Sequence, residues 1–150
     1  MIDHSEFQAT TVIALENCQF VEETLKLCIL SAIEITQVMT SPYLSINYKA
    51  VDIAKLPMGA LIKKFSRISQ DEDLIRDLKS LTKDRNFVAH QSLLFTLGEL
   101  SDTDSAAVAL SNLKAIGDRA SALHERVLEV RYTLVREKQR AIRDSIKKNA

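Results

Sequence analysis

The chain has 150 residues, of which 46% are hydrophobic and 27% charged, the balance of one ordinary globular domain. Twenty Lys and Arg match twenty Asp and Glu, which excludes a histone-like polycation and an acidic disordered tail. Three Gly and two Pro are too few to punctuate an all-β sandwich, so an all-α fold is expected.

The first predicted helix covers about 3–39. Asp3 followed by Glu6 suits a capping box. Cys18, Val21, Leu25, Cys28, Ala32, Ile35 and Met39 recur at alternating steps of three and four, and Phe20, Leu27 and Val38 broaden the stripe. A stripe that broad predicts a central core helix. The cysteines are ten residues apart, about 15 Å along a helix, too far for a disulfide. They are read as reduced core thiols. Residues 1–6 do not resemble a secretion signal, and the apolar run 25–35 is broken by Lys26, Ser31 and Glu34. A cytoplasmic protein with no membrane partner is expected.

Ser41-Pro42 ends this helix, since a residue before proline avoids the α region. A connection packed by Tyr43, Tyr48 and Ile46 is expected over 41–56. A second helix over 57–68 follows, with Pro57 at its first position. Ser69 with Glu72 reads as a capping box for a third helix over 70–96. Gly98 and the run Ser101, Asp102, Thr103, Asp104 mark the next connection. The fourth helix is predicted over 104–147. Ala106, Ala109, Leu113, Ile116, Ala120, Leu123, Val127, Val130 and Leu134 form a heptad seam along it. The favoured reading packs that seam within its own bundle, and a coiled coil with another chain is the alternative. The whole is expected to be one antiparallel four-to-five-helix bundle with a long C-terminal helix. Charge drifts along it, from net −4 over 1–50 to net +3 over 101–150.

Catalytic candidates are few. No Cys/His pair has metal spacing, so neither metal nor cofactor is expected. The segment Lys83-Asp84-Arg85-Asn86-Phe87-Val88-Ala89-His90 stands out. The apolar stripe of its helix is Leu74, Leu78, Leu81 and Val88, and Arg85 occupies a stripe position where leucine fits. A guanidinium there needs a partner or a wet cleft. Glu22, Glu23 and Asp84 are candidate partners. Asn86 and His90 are four apart and share a ridge, which Lys83 and Lys79 continue backward. Arg85 lies about 140° around the helix from His90, within reach of a bent long arm.

This segment resembles the signature of the HEPN superfamily, in which Arg is followed by a polar residue and His stands four to six residues on. The likeness covers about 10–95 and includes the preceding Leu56-Pro57-Met58-Gly59-Ala60-Leu61-Ile62-Lys63-Lys64-Phe65. A second spacing match, Arg119 to His124, lacks the polar residue and interleaves with the heptad seam, so it is read as coincidence. The resemblance implies a HEPN-like bundle pairing as a homodimer through the motif helices. It also implies a metal-independent endoribonuclease, toxin or defence related, with an antitoxin or nucleotidyltransferase partner. Arg85, Asn86 and His90 match as catalytic residues, and Lys79 and Lys83 are candidate RNA contacts. Imidazole can act as base or acid near neutral pH, and a guanidinium can fork two phosphate oxygens. The alternative is a non-catalytic dimerisation or interaction module of the same fold.

Overall fold

The computed structural model describes residues 2–96, 98 and 103–150. Asp3 opens α1 (His4–Thr40) as its N-cap, its carboxylate accepting the Ser5 N–H at 3.0 Å. Glu6 does not return to close a capping box; it pairs with Lys114 at 3.0 Å. The short helix α2 (Ala50–Ala54) lies inside the predicted connection and is anchored by buried Ile53. Five residues with no side-chain cap carry too little periodicity to be read from the sequence. The connection is less packed than expected: Tyr43 is 88% exposed and Leu44 is also exposed, while Ile46 and Tyr48 are half-buried.

Pro57 is the N-cap of α3 (Met58–Phe65), one place before its first helical residue. The cap of α4 (Glu72–Thr96) is Asp71, not Ser69. The Asp71 carboxylate accepts the Leu74 N–H at 2.9 Å, and the Ser69 hydroxyl accepts the Asp71 N–H at 3.2 Å. Gly98 adopts a φ of +75°, a left-handed conformation that costs glycine least just past a helix end. The expected turn residues Ser101 and Asp102 lie outside the described residues. The last helix, α5 (Thr103–Lys148), is the longest.

Among the described residues the architecture is all-helical, with three long helices running up, down and up and two short ones beside them. Antiparallel packing holds for α4 against both neighbours. Phe95 at its end stacks on Phe7 at the start of α1, and Asp84 and Asp77 meet Arg119 and Arg126 in reverse order on α5. The first and last helices run parallel, with an offset near one hundred residues. Asn17 donates to the Gly117 carbonyl, Thr24 meets His124, the Cys28 thiol meets the Val127 carbonyl, and Glu34 pairs with Lys138. At 1.5 Å per residue α5 extends ~69 Å and α4 only ~37 Å, so α1 and α5 outrun α4. Past Arg126 they continue together as a stem.

The core joins Phe7, Cys18, Val21, Leu25 and Cys28 of α1 to Leu61 and Phe65 of α3, to Leu74, Leu78, Leu81 and Val88 of α4, and to α5. The heptad seam of α5 is buried from Ala106 to Val127, and Val130 and Leu134 pack against the same core. It therefore serves its own chain. Each large apolar side chain so buried contributes about 1.5–3 kcal/mol. Phe20 and Leu27, expected to widen the α1 stripe, are instead 52% and 42% exposed. They lie about 200° and 180° around the helix from Cys18, and the bundle does not wrap that far.

Small residues let the parallel pair close. A Cβ on Gly117 would stand 3.7 Å from the Ala14 Cα, an ordinary contact. Gly117→Ala should therefore fit and remove the glycine penalty, raising unfolding free energy by about 0.5–1 kcal/mol in urea titration. Gly117→Leu should lower it by about 1–3 kcal/mol through overpacking. Loss of stability in the alanine variant would contradict this packing.

Both cysteines are free and buried. Burial pushes the Cys18 and Cys28 thiols up to about 11 from an ordinary 9.0. Neutral thiols are favoured in the folded chain, so their contribution to stability is complete below pH 9.0 and is lost as pH rises toward 11. Both should resist alkylation in native buffer at neutral pH and react fully in denaturant, as read by mass spectrometry. Rapid native labelling of either would contradict their placement.

Candidate functional site

The candidate residues all sit on α4, and the helix sends them in different directions. Leu74, Leu78, Leu81 and Val88 are buried, and Arg85 continues their stripe at the level of Glu22 on α1. The guanidinium is not buried at that position. Its side chain is 48% exposed, and its nearest carboxylate oxygen, on Glu22, lies 3.9 Å away. That separation exceeds hydrogen-bond range, so this is a loose ion pair. Glu22 is shared with Lys26 at 3.6 Å. Beneath lies Cys18, whose thiol is pushed up first by burial and drawn back in part by the Arg85 charge.

Asp84 is not the partner of Arg85. It turns to α5 and accepts from Arg119 at 3.1 and 3.3 Å. Arg126 meets Asp77 at 2.8 Å and Asp71 at 3.8 Å on the same seam. These pairs pin α4 against α5 and leave the acids on that side occupied. Exposed pairs of this kind contribute about 0–1 kcal/mol each.

Asn86, His90, Lys79 and Lys83 form the outer ridge of α4. All four are exposed, and none has a hydrogen-bond or ion-pair partner among the described residues. Ala89 is exposed beside them and leaves the ridge open. The structure thus keeps Asn86 and His90 together with the two lysines. No hydrogen bond or ion pair joins Arg85 to His90 among the described residues, and the charged neighbour of the guanidinium is Glu22 of α1. The attraction of Glu22 draws the guanidinium toward α1.

Two nearby grooves do not include the motif. A groove of about 440 Å³ opens beside Phe87 and Gln91 on the α5 side of α4. Another, of about 310 Å³, is lined by Asp77, Asp84, Arg119, Leu123 and Arg126. Neither contains Arg85, Asn86 or His90. Among the described residues no group of three or more His, Cys, Asp or Glu side chains converges as a metal site. No helix among them is long and apolar enough to cross a membrane.

The other histidines have structural surroundings. His4 packs on Phe95 at 4.9 Å between ring centres. His124 lies 3.1 Å from the Thr24 hydroxyl and stacks on Phe20 at 5.6 Å. It is half-buried between α1 and α5, which accounts for the second spacing match without chemistry. No family model, curated protein or solved structure matches this chain.

Since Arg85 is half-exposed and loosely paired, Arg85→Ala should lower the unfolding free energy by less than about 1 kcal/mol. Leu81→Ala, one turn away and buried, should cost about 2–5 kcal/mol. Paired thermal melts check both. A collapse of the Arg85 variant would mark the guanidinium as a structural strut.

Proposed function

We propose that the chain is a metal-independent endoribonuclease of the HEPN type, toxin or defence related, with a composite site at a homodimer interface. The observation that carries this reading is the outer ridge of α4. His90, Asn86, Lys79 and Lys83 stand exposed on it without partners, next to a half-exposed Arg85. Neutral burial or satisfied ion pairing would account for structural residues, and neither describes this ridge.

The chemistry follows from the residue types. The 2′-hydroxyl loses its proton and its oxygen attacks phosphorus. The bond from phosphorus to the 5′-oxygen breaks, and that oxygen takes up a proton. His90 is suited to moving these protons. Arg85 can fork two non-bridging oxygens and support the negative charge that builds on phosphorus. Asn86, one helical turn before His90, can orient the imidazole or the sugar. Lys79 and Lys83 extend the positive ridge for the flanking phosphates.

Within one chain the guanidinium neighbours Glu22 of α1 and the imidazole stands on the outer ridge without contact to it, so the composite site draws on two chains. A two-fold pairing across α4 brings the His90 of one subunit toward the Arg85 of the other. Activity then requires the dimer. An antitoxin or nucleotidyltransferase partner belongs to the same reading.

A non-catalytic interaction module is the second reading. The specific observation favouring it is the turn of Arg85 toward Glu22 of its own chain. On that reading Arg85 sets helix packing, and its loss disturbs dimerisation.

Incubating the purified protein with RNA in EDTA tests the proposal. Wild type should cleave and leave 2′,3′-cyclic phosphate ends, while His90→Ala should fall by ~10²-fold or more with an unchanged melting curve. Equal cleavage by both, or none by either on structured and unstructured RNA, would overturn it.

A further inference from the structure

The stem carries a cationic face that the α4 ridge does not use. Arg136, Arg140, Arg143 and Lys147 recur at steps of four, three and four, within about 60° of one another on α5 and over ~16 Å. All four are exposed. The opposite side of this stretch is engaged: Leu134 packs on the core, and Lys138 takes Glu34 of α1. Two acids, Glu137 and Asp144, stand on the flank of the cationic face, and Glu137 pairs with Arg140. Glu137 stands 3.5 Å from Arg140, and Arg136 donates to the Thr133 hydroxyl at 3.3 Å. Arg143 and Lys147 have no ion-pair or hydrogen-bond partner among the described residues.

Basic residues at a helix end suit the helix dipole, but that effect fades within the last turn. Lys147 lies in that turn, and the three arginines precede it. A helix lying on a membrane needs a broad free apolar face, and beyond Leu134, which packs on the core, this stretch offers two isoleucines, Ile142 and Ile146. The cationic row itself contains no apolar side chain, although exposed Ile142 and Ile146 flank it. A row of fixed positive charge matches a chain of phosphates, and exposed Tyr132, one turn before Arg136, offers a ring on which a base of any identity can stack.

We propose that this face of the stem holds the phosphate backbone of RNA without sequence choice. The proposal rests on the ribonuclease reading and gives it a substrate-holding arm, past the opposite end of α4 from His90. Its contribution is to capture and not to chemistry.

Fluorescence anisotropy with a labelled single-stranded RNA of mixed sequence tests this, on His90→Ala protein so that the RNA stays whole. Four phosphate contacts on the stem contribute about −2.8 to the slope of log affinity against log salt, beside the share of the α4 ridge. Adding Arg140→Gln and Arg143→Gln should make the slope shallower by about 1.4 and weaken binding at least ~10-fold near 0.1 M salt. In the cleavage-competent chain the same pair should raise KM and leave kcat unchanged. Unchanged affinity and slope would overturn the proposal. So would binding to phosphatidylserine vesicles with none to RNA. RNA held by the stem with no cleavage by any variant would sustain the arm and remove the ribonuclease. Cleavage lost with His90 but indifferent to the stem would do the reverse.

Discussion

Close parallel packing of α1 against α5 is the constraint on which the rest of the molecule depends. Ala14 and Gly117 bring the two backbones together, and Cys18, Val21, Leu25 and Cys28 fill the seam with Leu113, Ala120 and Val127. Polar contacts fix the register at intervals, from Glu6 with Lys114 to Glu34 with Lys138. With two helices joined over this length, α4 has one slot left, antiparallel to both. Its inner faces are then spoken for by α1 and α5. What remains outward is the ridge of Lys79, Lys83, Asn86 and His90.

The same arrangement explains why Arg85 is ambiguous. It stands at a stripe position because α4 needs that angle toward α1, yet the groove there is shallow enough for the guanidinium to reach water. Glu22 attracts it without closing a hydrogen bond. A tight, buried pair would hold the arginine as a strut. A loose one leaves its donors available to a phosphate at modest cost to stability. Asp84, the nearest acid in sequence, is removed from the competition by Arg119.

Much of the fold was legible because it rests on long periodic segments. The heptad seam from Ala106 to Val127 and the stripe Leu74, Leu78, Leu81, Val88 are the buried faces that their spacing implied. Short and local features were harder to read. The helix α2 has no cap and one buried anchor, and Asp71 displaced Ser69 as a cap because its carboxylate sits nearer the free N–H groups. Phe20 and Leu27 look like core residues by type, and only the number of neighbouring helices decides that they are not. At the candidate site, the grouping of Asn86 with His90 followed from helix geometry alone. The direction of Arg85 did not, since it is set by a carboxylate sixty-three positions away in the chain. The positive drift toward the end of the chain was visible in the sequence, but the exposure of Arg136, Arg140, Arg143 and Lys147 on one face, opposite Leu134 and Lys138, needed the packing on α1.

A divided reactive set has a consequence for mixed dimers. Two variants, each inactive alone, should complement one another when one lacks the imidazole and the other the guanidinium. Mixing His90→Ala with Arg85→Ala under conditions that exchange subunits, and following RNA cleavage, addresses the central claim most directly. Activity should reappear in the mixture, because the mixed dimer holds one intact combination of His90 and Arg85 across its interface. A mixture as inactive as its components, with mixed dimers shown by native mass spectrometry, would contradict the shared site.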